Sequence, residues 1–492
     1  MTSPTHPFSS VLIANRGEIA LRLVRACREL GLKSVVAAVG SEKDALPARE
    51  ADAIAVLESP KSYLDPKALL EAAKKTKAGA IHPGYGFLSE NADFAEAVIS
   101  AGLTWIGPPP AAMRALGNKL AGRAVAEKAS VPVLPGAKLG KDPAKAAKEV
   151  GFPLLVKAAD GGGGRGQRMV EKPSQLTEAI ESARREAGAS FASEEVFLER
   201  FLPAPRHVEF QILGDPKGKV VHLHERECSV QRRRQKLIEE SPSPALTPEL
   251  RERMGAAAVR LAEAAGYRSL GTVEFLVDGK DFYFLEVNAR LQVEHPVTEA
   301  VLGLDLAQWQ IRMAMGEPFP FSQAQIQPRG HAIEARLCAE DPDHDFLPSG
   351  GRILALDLPR IPGLRWETFL EEGREVASDY DSLLGKAVAW AEDRAGAIRR
   401  LDQALAGSVL LGLHQNLGFL RFVLGRPEFS SGKYDTGLVE ERILAAWVSR
   451  NRDLPPEAKA LIAEAKSRPI ASGAGSGRRI PDPWQDLNGW KP

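Results

Sequence analysis

The sequence predicts an α/β protein that also contains α+β elements, arranged in three successive regions. Strands alternate with helices over roughly the first 107 residues, which is typical of a parallel sheet covered on both faces. Three consecutive prolines, Pro108 to Pro110, then mark a boundary. The chain becomes rich in strand-forming residues from 206 to 295, and a further region begins after Arg329.

The N-terminal region resembles a Rossmann unit. A helix is predicted over 17–31, where apolar residues recur at helical spacing, and another near 91–101. Its first turn reads ANRGEI instead of G-x-G-x-x-G, which argues against NAD binding. Short apolar runs predict strands at 11–14, 34–40, 78–84 and 103–107.

A glycine-rich loop follows the apolar strand PLLVKA in the central region. Residues 157–170 read KAADGGGGRGQRMV, with four consecutive glycines. Ordering glycine residues costs conformational entropy, and glycine adds no side chain to a core. The loop therefore indicates a need for backbone that side chains do not cover. Its unobstructed N–H groups suit a phosphate, and the alternative is a flexible surface hairpin.

Two acidic residues are predicted to face each other in the β-rich region. A hairpin turn at 278–281 places Glu274 opposite or beside Glu286. Facing carboxylates repel unless a cation lies between them. With Asn288 beside them the ligand set is all oxygen, which fits Mg²⁺ or Mn²⁺ and does not fit zinc. The alternative is a salt-bridged sheet face, in which Arg290 and a lysine neutralise the acids.

Polar residues continue beyond the acid pair. If the segment stays extended, side chains at every second position point to one side. The alternating positions are Glu286, Asn288, Arg290, Gln292 and Glu294.

The charged stretch 225–240 is either a solvated loop or an anion pocket formed by Arg232, Arg233 and Lys236.

Composition narrows the class of protein. Lys plus Arg and Asp plus Glu both number 64, and this zero net charge argues against a nucleic-acid partner. The three cysteines are far apart, without metal-ligand or disulfide spacing, as expected in a reducing compartment. We find no targeting pattern at the N-terminus and no apolar run long enough to span a membrane. We therefore expect a cytoplasmic protein with no membrane partner.

Eight segments between residues 10 and 445 carry a resemblance to a known family. They are IANRGEIALR (13–22), IHPGYGFLSEN (81–91), KAADGGGGRGQRMV (157–170), PRHVEFQI (205–212), ERECSVQRRRQK (225–236), EFLVDGKDFYFLEVNARLQVEHPVTE (274–299), RGHAIEARLCAEDP (329–342) and YDSLLGK (380–386). In this order they resemble the biotin carboxylases of the ATP-grasp superfamily. Other ATP-grasp ligases share the acid pair and the glycine loop but not the HPGYG, VEHPVTE and RGHAIEAR segments.

The resemblance implies a domain organisation and a reaction. ATP and bicarbonate would carboxylate biotin on a carrier protein or domain through carboxyphosphate, which is the first half-reaction of a biotin-dependent acyl-CoA carboxylase. Implied cofactors are ATP and Mg²⁺ (or Mn²⁺), with biotin as carrier-bound substrate; implied partners are the carrier, a carboxyltransferase subunit and a second copy in a homodimer. The implied parts are a Rossmann-like domain at 1–118, an ATP-grasp domain at 119–328 with a mobile lid at about 138–205, a β-rich C-terminal domain at 329–446 and a linker or tail at 447–492.

Site residues are implied by position. Glu294 would be the base that deprotonates bicarbonate, with Lys236 and Arg290 orienting the anion. Arg336 would stabilise the biotin enolate, near Tyr85. The implied ATP-binding residues are Lys119, Lys157, Gly162, Gly163, Gly164, Gly166, Glu199, Leu202, His207, Gln231, Arg234 and Leu276. The implied metal ligands are Glu274, Glu286 and Asn288, and the implied bicarbonate residues are Lys236, Arg290, Gln292, Val293 and Glu294.

The chain departs from the family pattern at two positions. It reads QRRRQK where the family usually has QRRHQK, so Arg234 replaces a histidine near the nucleotide. It also reads LGNK for MGDK, with Asn118 for an aspartate. No MKM carrier motif is present, so the carrier would lie on another chain or in a missing part of an α subunit. Alternatives are another bicarbonate-using ATP-grasp ligase and a catalytically impaired nucleotide-binding subunit.

Overall fold

The computed structural model describes residues 7–160, 167–191, 194–377, 380–450 and 459–460. Its N-terminal strands are β1 (Ser10–Ile13), β2 (Lys33–Val39), β3 (Ala53–Leu57), β4 (Ala80–His82) and β5 (Thr104–Trp105). Its N-terminal helices are α1 (Gly17–Glu29), α2 (Leu46–Glu50), α3 (Pro66–Thr76), α4 (Ala92–Ser100) and α5 (Pro110–Gly117). The strands pair in parallel in the order β3-β2-β1-β4-β5, so the predicted parallel sheet is confirmed.

Three N-terminal elements, α2, β3 and α3, have no counterpart in the sequence-based prediction. Strand β3 is short and lies at the edge of the sheet, where its pattern is weak. Helix α3 has clear local signals: Asp65 caps it by accepting from the Lys67 amide, and Pro66 occupies the first turn. Lys77 ends it in the left-handed conformation.

A small antiparallel sheet forms the next part. After α6 (Lys119–Lys128), the chain contains β6 (Gly136–Lys138), α7 (Pro143–Val150), β7 (Leu154–Ala158), β8 (Gln167–Val170), α8 (Leu176–Phe191) and β9 (Val196–Arg200). The strand order is β6-β9-β7-β8. Apolar residues of α7, α8 and the strands form a core of their own. A separate core supports the prediction that this segment moves as a unit, which stays a prediction.

The following part supplies long antiparallel strands. They are β10 (Arg206–Gly214), β11 (Val220–Arg232), β12 (Gln235–Ser241), β13 (Ser269–Asp278) and β14 (Asp281–Asn288). The helices are α9 (Pro248–Ala264), α10 (His295–Leu302) and α11 (Leu306–Ala314). The sequence-based description of 206–295 as β-rich left out α9, whose buried face carries Met254 and Leu261. These side chains pack with Phe210 and Phe275 of the sheet.

The C-terminal part adds strands to the same sheet. Its strands are β15 (His331–Cys338), β16 (Glu340–Asp341), β17 (Leu347–Pro348), β18 (Gly351–Arg352), β19 (Ala355–Asp357), β20 (Leu364–Thr368), β21 (Glu375–Val376), β22 (Leu383–Ala391) and β23 (Val409–Leu411). Its helices are α12 (Arg394–Ala406), α13 (Leu417–Leu424), α14 (Pro427–Ser430) and α15 (Leu444–Val448). The large sheet has the order β14-β13-β10-β11-β12-β15-β22-β20.

The large sheet therefore runs through the predicted boundary at 329 without a break. Strands β12 and β15 pair directly, from Ile238 with Ala335 to Ser241 with Ala332. Helix α1 also packs against β20, so the N-terminal region lies against the C-terminal strands. The domain limits themselves stay predictions. Among the described residues, no helix is long and apolar enough to cross a membrane.

Candidate active site

A cavity of about 890 Å³ lies where the N-terminal region, the small sheet and the large sheet meet. It brings together predicted nucleotide, metal, bicarbonate and biotin residues that are far apart in sequence. The predicted residues that line it are Tyr85, Lys119, Lys157, Glu199, Leu202, His207, Gln231, Arg234, Lys236, Glu274, Leu276, Glu286, Asn288, Arg290, Gln292, Val293, Glu294 and Arg336. Four predicted glycines, Gly162, Gly163, Gly164 and Gly166, lie outside the described residues.

The predicted facing of two acids is confirmed. The hairpin turns at 278–281, and Glu274 is the register partner of Glu286. The row continues on the next strands, because Glu209 is opposite Glu274 and Arg226 is opposite Glu209. Four neighbouring strands thus place one charged residue each in a line across the sheet.

Lys236, on the adjacent strand β12, contacts two acids of this row and also Glu294. Its Nζ lies 2.6 Å from Glu209 Oε2, 2.9 Å from Glu274 Oε1 and 2.6 Å from Glu294 Oε1. Burial by itself would lower the pKa of Lys236, but the three carboxylates outweigh burial and hold this pKa well above its ordinary value. Lys236 is therefore an ammonium ion, and it forms an ion pair with Glu274.

Glu286 is in a different environment from Glu274. Burial acts to raise the pKa of Glu274, but Lys236 and His207 hold it well below its ordinary value. For Glu286, burial and the neighbouring Glu274 charge both raise the pKa. Lys119 Nζ lies 3.9 Å from Glu286 Oε2. A divalent cation between the two acids would relieve this repulsion.

The proposed metal ligands fit Mg²⁺ or Mn²⁺ by chemistry. Glu274, Glu286 and Asn288 offer only hard oxygen donors. The Asn288 side chain bridges two neighbours: its Nδ2 donates to Glu274 Oε1 at 2.8 Å, and its Oδ1 accepts from Arg290 Nη2 at 2.9 Å. Lys236 also contacts Glu274. Metal binding would thus exchange these contacts for coordination.

The segment after β14 does not stay extended. Strand β14 ends at Asn288 and α10 begins at His295, so the premise that one strand carries all five alternating residues is wrong beyond 288. The later side chains reach the cavity from a loop instead. Arg290 organises this loop by donating to Gln292 Oε1 at 2.6 Å and, through Nε, to Glu90 Oε2 at 3.1 Å.

Arg336 approaches the same loop from β15. Its Nη2 donates to Glu294 Oε2 at 2.9 Å, and its Nε donates to Glu239 Oε1 at 2.6 Å. Glu294 is therefore held between Lys236 and Arg336. Burial acts to raise the pKa of Glu294, but these two cations hold it well below its ordinary value. For Glu239, burial prevails and raises the pKa to about 7, because Arg336 offsets it only in part.

Two further lysines line the cavity. Lys157 Nζ lies 2.6 Å from Glu199 Oε1, and both side chains are buried. Lys119 begins α6, and Asn118 caps this helix by accepting from the amides of residues 120 and 121. Asn118 Nδ2 also donates to Asp160 Oδ1 at 2.7 Å. An aspartate could cap in the same way, so the departure at Asn118 leaves the helix start intact.

The charged stretch was predicted to form an anion pocket from Arg232, Arg233 and Lys236. Of these three, Lys236 lines the cavity, and the prediction is wrong for Arg232 and Arg233. Arg233 points away and pairs with Asp345 at 2.9 Å, and the Arg232 guanidinium lies 4.1 Å from the centre of the Phe346 ring. Neither lines the cavity, whereas Arg234 does. Residues 233 and 234 form a two-residue turn between β11 and β12, and both have positive φ. This turn directs the side chains of Arg233 and Arg234 to different places.

Sequence reasoning missed three acids of the site. Glu209 follows His207 at the period-two spacing of a strand, a signal that was available in PRHVEFQI. Glu90 lies in the turn before α4, and Glu239 lies on β12 opposite β15. Both contact site arginines, Arg290 and Arg336 respectively. No spacing in the sequence connects them, because the contacts depend on how distant elements pack.

Models of three protein domains match the chain. They are "Biotin carboxylase, N-terminal domain" at 7–113, "Carbamoyl-phosphate synthase L chain, ATP binding domain" at 118–321 and "Biotin carboxylase C-terminal domain" at 334–441. Among solved structures, biotin carboxylase from Campylobacter jejuni superposes with a TM-score of 0.86 at 42% identity, covering 88% of this chain and 99% of that one. The biotin carboxylase domain dimer of Hydrogenobacter thermophilus 2-oxoglutarate carboxylase, with MgADP, ADP and bicarbonate, gives 0.87 at 40% identity, covering 91% and 99%.

Curated relatives agree with these matches. The chain is 46% identical over 442 residues to a biotin carboxylase of a Nostoc species, covering 88% of this chain and 99% of that protein. It is also 46% identical over 440 residues to the mitochondrial methylcrotonoyl-CoA carboxylase subunit alpha of Oryza sativa, covering 87% of this chain but 60% of that longer subunit. From the matched models and these identities, the chain belongs to the biotin carboxylase family.

Proposed function

We propose that this protein carboxylates biotin with bicarbonate at the expense of ATP. The observation that supports this most is Glu294, a buried carboxylate held between Lys236 and Arg336 in the cavity that also contains Lys119 and Lys157. One cavity thus offers cations for nucleotide phosphates, cations for a small anion and an ionised carboxylate beside them. A bicarbonate-dependent phosphoryl transfer needs these three kinds of group.

Glu294 is proposed as the base that takes the bicarbonate proton. In the free protein its contacts with Lys236 and Arg336 make it a weak base. When bicarbonate binds, Lys236 and Arg290 share their positive charge with the anion, which leaves Glu294 more basic. Positioning of the anion against the terminal phosphate then supplies much of the rate.

Arg336 is proposed to serve the second step, at biotin. It remains protonated at any working pH and presents a fixed fork of donors to a developing enolate oxygen. Tyr85 lines the cavity as well. Glu239 holds the Arg336 guanidinium in place through Nε.

The nucleotide-binding and metal-binding residues that we propose line the same cavity. Lys119 and Lys157 are proposed to contact the phosphates, with Glu199, Leu202, His207, Gln231, Arg234 and Leu276 around the rest of the nucleotide. Glu274, Glu286 and Asn288 are proposed to hold Mg²⁺ or Mn²⁺. When bound, this ion neutralises phosphate charge.

We propose the partners of this protein from what the reaction requires. Carboxybiotin formed here has to reach a carboxyltransferase, so a biotin carrier protein or domain and a carboxyltransferase subunit are the expected partners. The Hydrogenobacter domain is a dimer, and we propose a homodimer for this chain. A cytoplasmic location stays a prediction.

The test is ADP release by the purified chain with MgATP and bicarbonate, with and without free biotin. We expect biotin to stimulate ADP release and radiolabelled bicarbonate to appear in carboxybiotin. The Glu294→Gln variant, which keeps the side-chain shape, is the matched control and should lose both signals.

Two other outcomes would contradict the proposal. ATP turnover that needs bicarbonate but ignores biotin would favour a different ATP-grasp ligase. Nucleotide binding without any turnover would favour a catalytically impaired subunit.

A further inference from the structure

A buried lysine outside the predicted site contacts the backbone of the bicarbonate loop. Lys386 on β22 is fully buried, at 0% exposure. Its Nζ donates to the Val293 carbonyl at 2.8 Å and lies 3.0 Å from Glu18 Oε1 on α1. Three regions of the chain thus meet at one ammonium group.

The position of Lys386 relates it to Arg336. The two residues are register partners on β22 and β15, so their side chains leave the same face of the sheet. Arg336 holds the Glu294 carboxylate, and Lys386 holds the peptide group that precedes Glu294 in the chain. Two neighbouring strands therefore hold the backbone and the side chain of one short segment.

A stabilising ion pair alone is a weak explanation for Lys386. Removing two charges from water costs about as much as their attraction returns, so buried pairs add little net stability. Burial raises the pKa of Glu18 and Lys386 offsets this, which makes Glu18 a counter-ion held at some cost. The Val293 carbonyl sits in a loop, between the end of β14 and the start of α10, where no helix or strand ladder orients it.

We propose that Lys386 is a positioning residue for bicarbonate: with Glu18 as its counter-ion, it fixes the Val293 peptide and thereby the loop that presents Gln292 and Glu294. This inference rests on the proposed function of the same site. It deepens that function, because it makes α1 and β22 necessary for the shape of a loop that neither of them contains.

Three variants separate positioning from stability. Lys386→Met removes the donor and leaves Glu18 without a partner, so it lowers both stability and activity. In the Glu18→Gln/Lys386→Met double variant neither charge remains, so the unfolding temperature recovers towards wild type while the Val293 carbonyl stays without its donor. Arg394→Met is the matched control, since Arg394 pairs with buried Glu240 at 2.6 Å and does not line the cavity.

Steady-state kinetics give the first readout. For the double variant we expect KM for bicarbonate to rise about tenfold or more, the scale of one charge-assisted hydrogen bond, while KM for ATP changes less than about twofold. Arg394→Met should lower the unfolding temperature without raising KM for bicarbonate. An equal rise in both KM values, or an unchanged KM for bicarbonate, would overturn the inference.

Amide hydrogen exchange gives a readout that needs no activity. Without any ligand, the double variant should exchange faster than wild type in peptides covering 289–297, and Arg394→Met should not. Unchanged exchange there would overturn the positioning role. If wild type itself shows no biotin-stimulated ATP turnover, the proposed function fails, and the exchange result still decides what Lys386 does.

Discussion

Glu274 and Glu286 are register partners in one hairpin, yet their pKa values shift in opposite directions. Lys236 and His207 neutralise Glu274, while Glu286 faces that carboxylate with Lys119 at 3.9 Å. Glu286 therefore keeps a repulsion from Glu274 that a bound divalent cation would relieve.

Glu286→Gln should abolish ATP turnover without unfolding the protein. The substitution keeps the volume of the side chain and removes a charge whose pKa is raised, so stability without metal should not fall. Mg²⁺ should no longer raise the unfolding temperature, which a thermal melt with and without Mg²⁺ measures. Glu71→Gln, on an exposed face of α3, is the control. A variant with the Mg²⁺ dependence of wild type would contradict the metal assignment.

Arg336→Ala and Glu294→Ala should separate the two half-reactions. Arg336→Ala should lose carboxybiotin formation and keep slow bicarbonate-dependent ADP release, because Glu294 and Lys236 remain. Glu294→Ala should lose both, by about 10²–10⁴-fold. ADP release and carboxybiotin are measured in parallel. Since Arg336 contacts Glu294 directly, an equal loss of both activities in Arg336→Ala would mean that Arg336 also serves bicarbonate.

Arg234→His should weaken nucleotide binding while leaving the reaction in place. Arg234 lines the cavity, and burial lowers its pKa, with Glu440 acting against this. Losing its permanent charge should raise KM for ATP by about three- to tenfold, less than a full charge-assisted bond, with kcat nearly unchanged. Arg233→His is the control, because Arg233 is exposed and pairs with Asp345. A large fall in kcat would instead place Arg234 in the chemistry.

Glu239→Gln should change how stability depends on pH. The pKa of Glu239 is raised to about 7 in the folded protein, above its ordinary value of 4.5. Its contribution to stability is therefore fully present below pH about 4.5 and is lost as pH rises through about 7. The difference in free energy of unfolding, wild type minus variant, should fall across this window by roughly 1–3 kcal/mol. Denaturant melts at several pH values measure it, and a flat difference would contradict the raised pKa.

Local sequence patterns predicted much of the fold. Helix α1 and the hairpin at 278–281 have strong signals, because apolar spacing and turn residues act over short distances. Helix α9 was not predicted because it lies within a region rich in strand-forming residues. Strand β3 was not predicted because a short edge strand gives no clear periodicity. The continuity of the large sheet across 329 depends on pairing between β12 and β15, which no local pattern encodes.

The site likewise contains features that local sequence patterns predict and features that depend on distant contacts. Facing of Glu274 and Glu286 followed from strand period and turn position alone. The loop residues implied by the family resemblance, Gln292 and Glu294, line the cavity, although the extended strand assumed for them is wrong. Glu239 and Lys386 were not found, since their partners, Arg336 and Val293, lie 97 and 93 positions away in the chain.

The unbroken large sheet has a consequence for protein engineering. A module cut at 329 would expose the unpaired edge of β12 over four register positions, and its counterpart would expose β15. Bare edges of this kind recruit strands from other molecules and cause aggregation. Chimaeras that exchange nucleotide-binding and C-terminal halves between relatives should therefore be joined outside the β12–β15 pair, with both strands inherited from one parent.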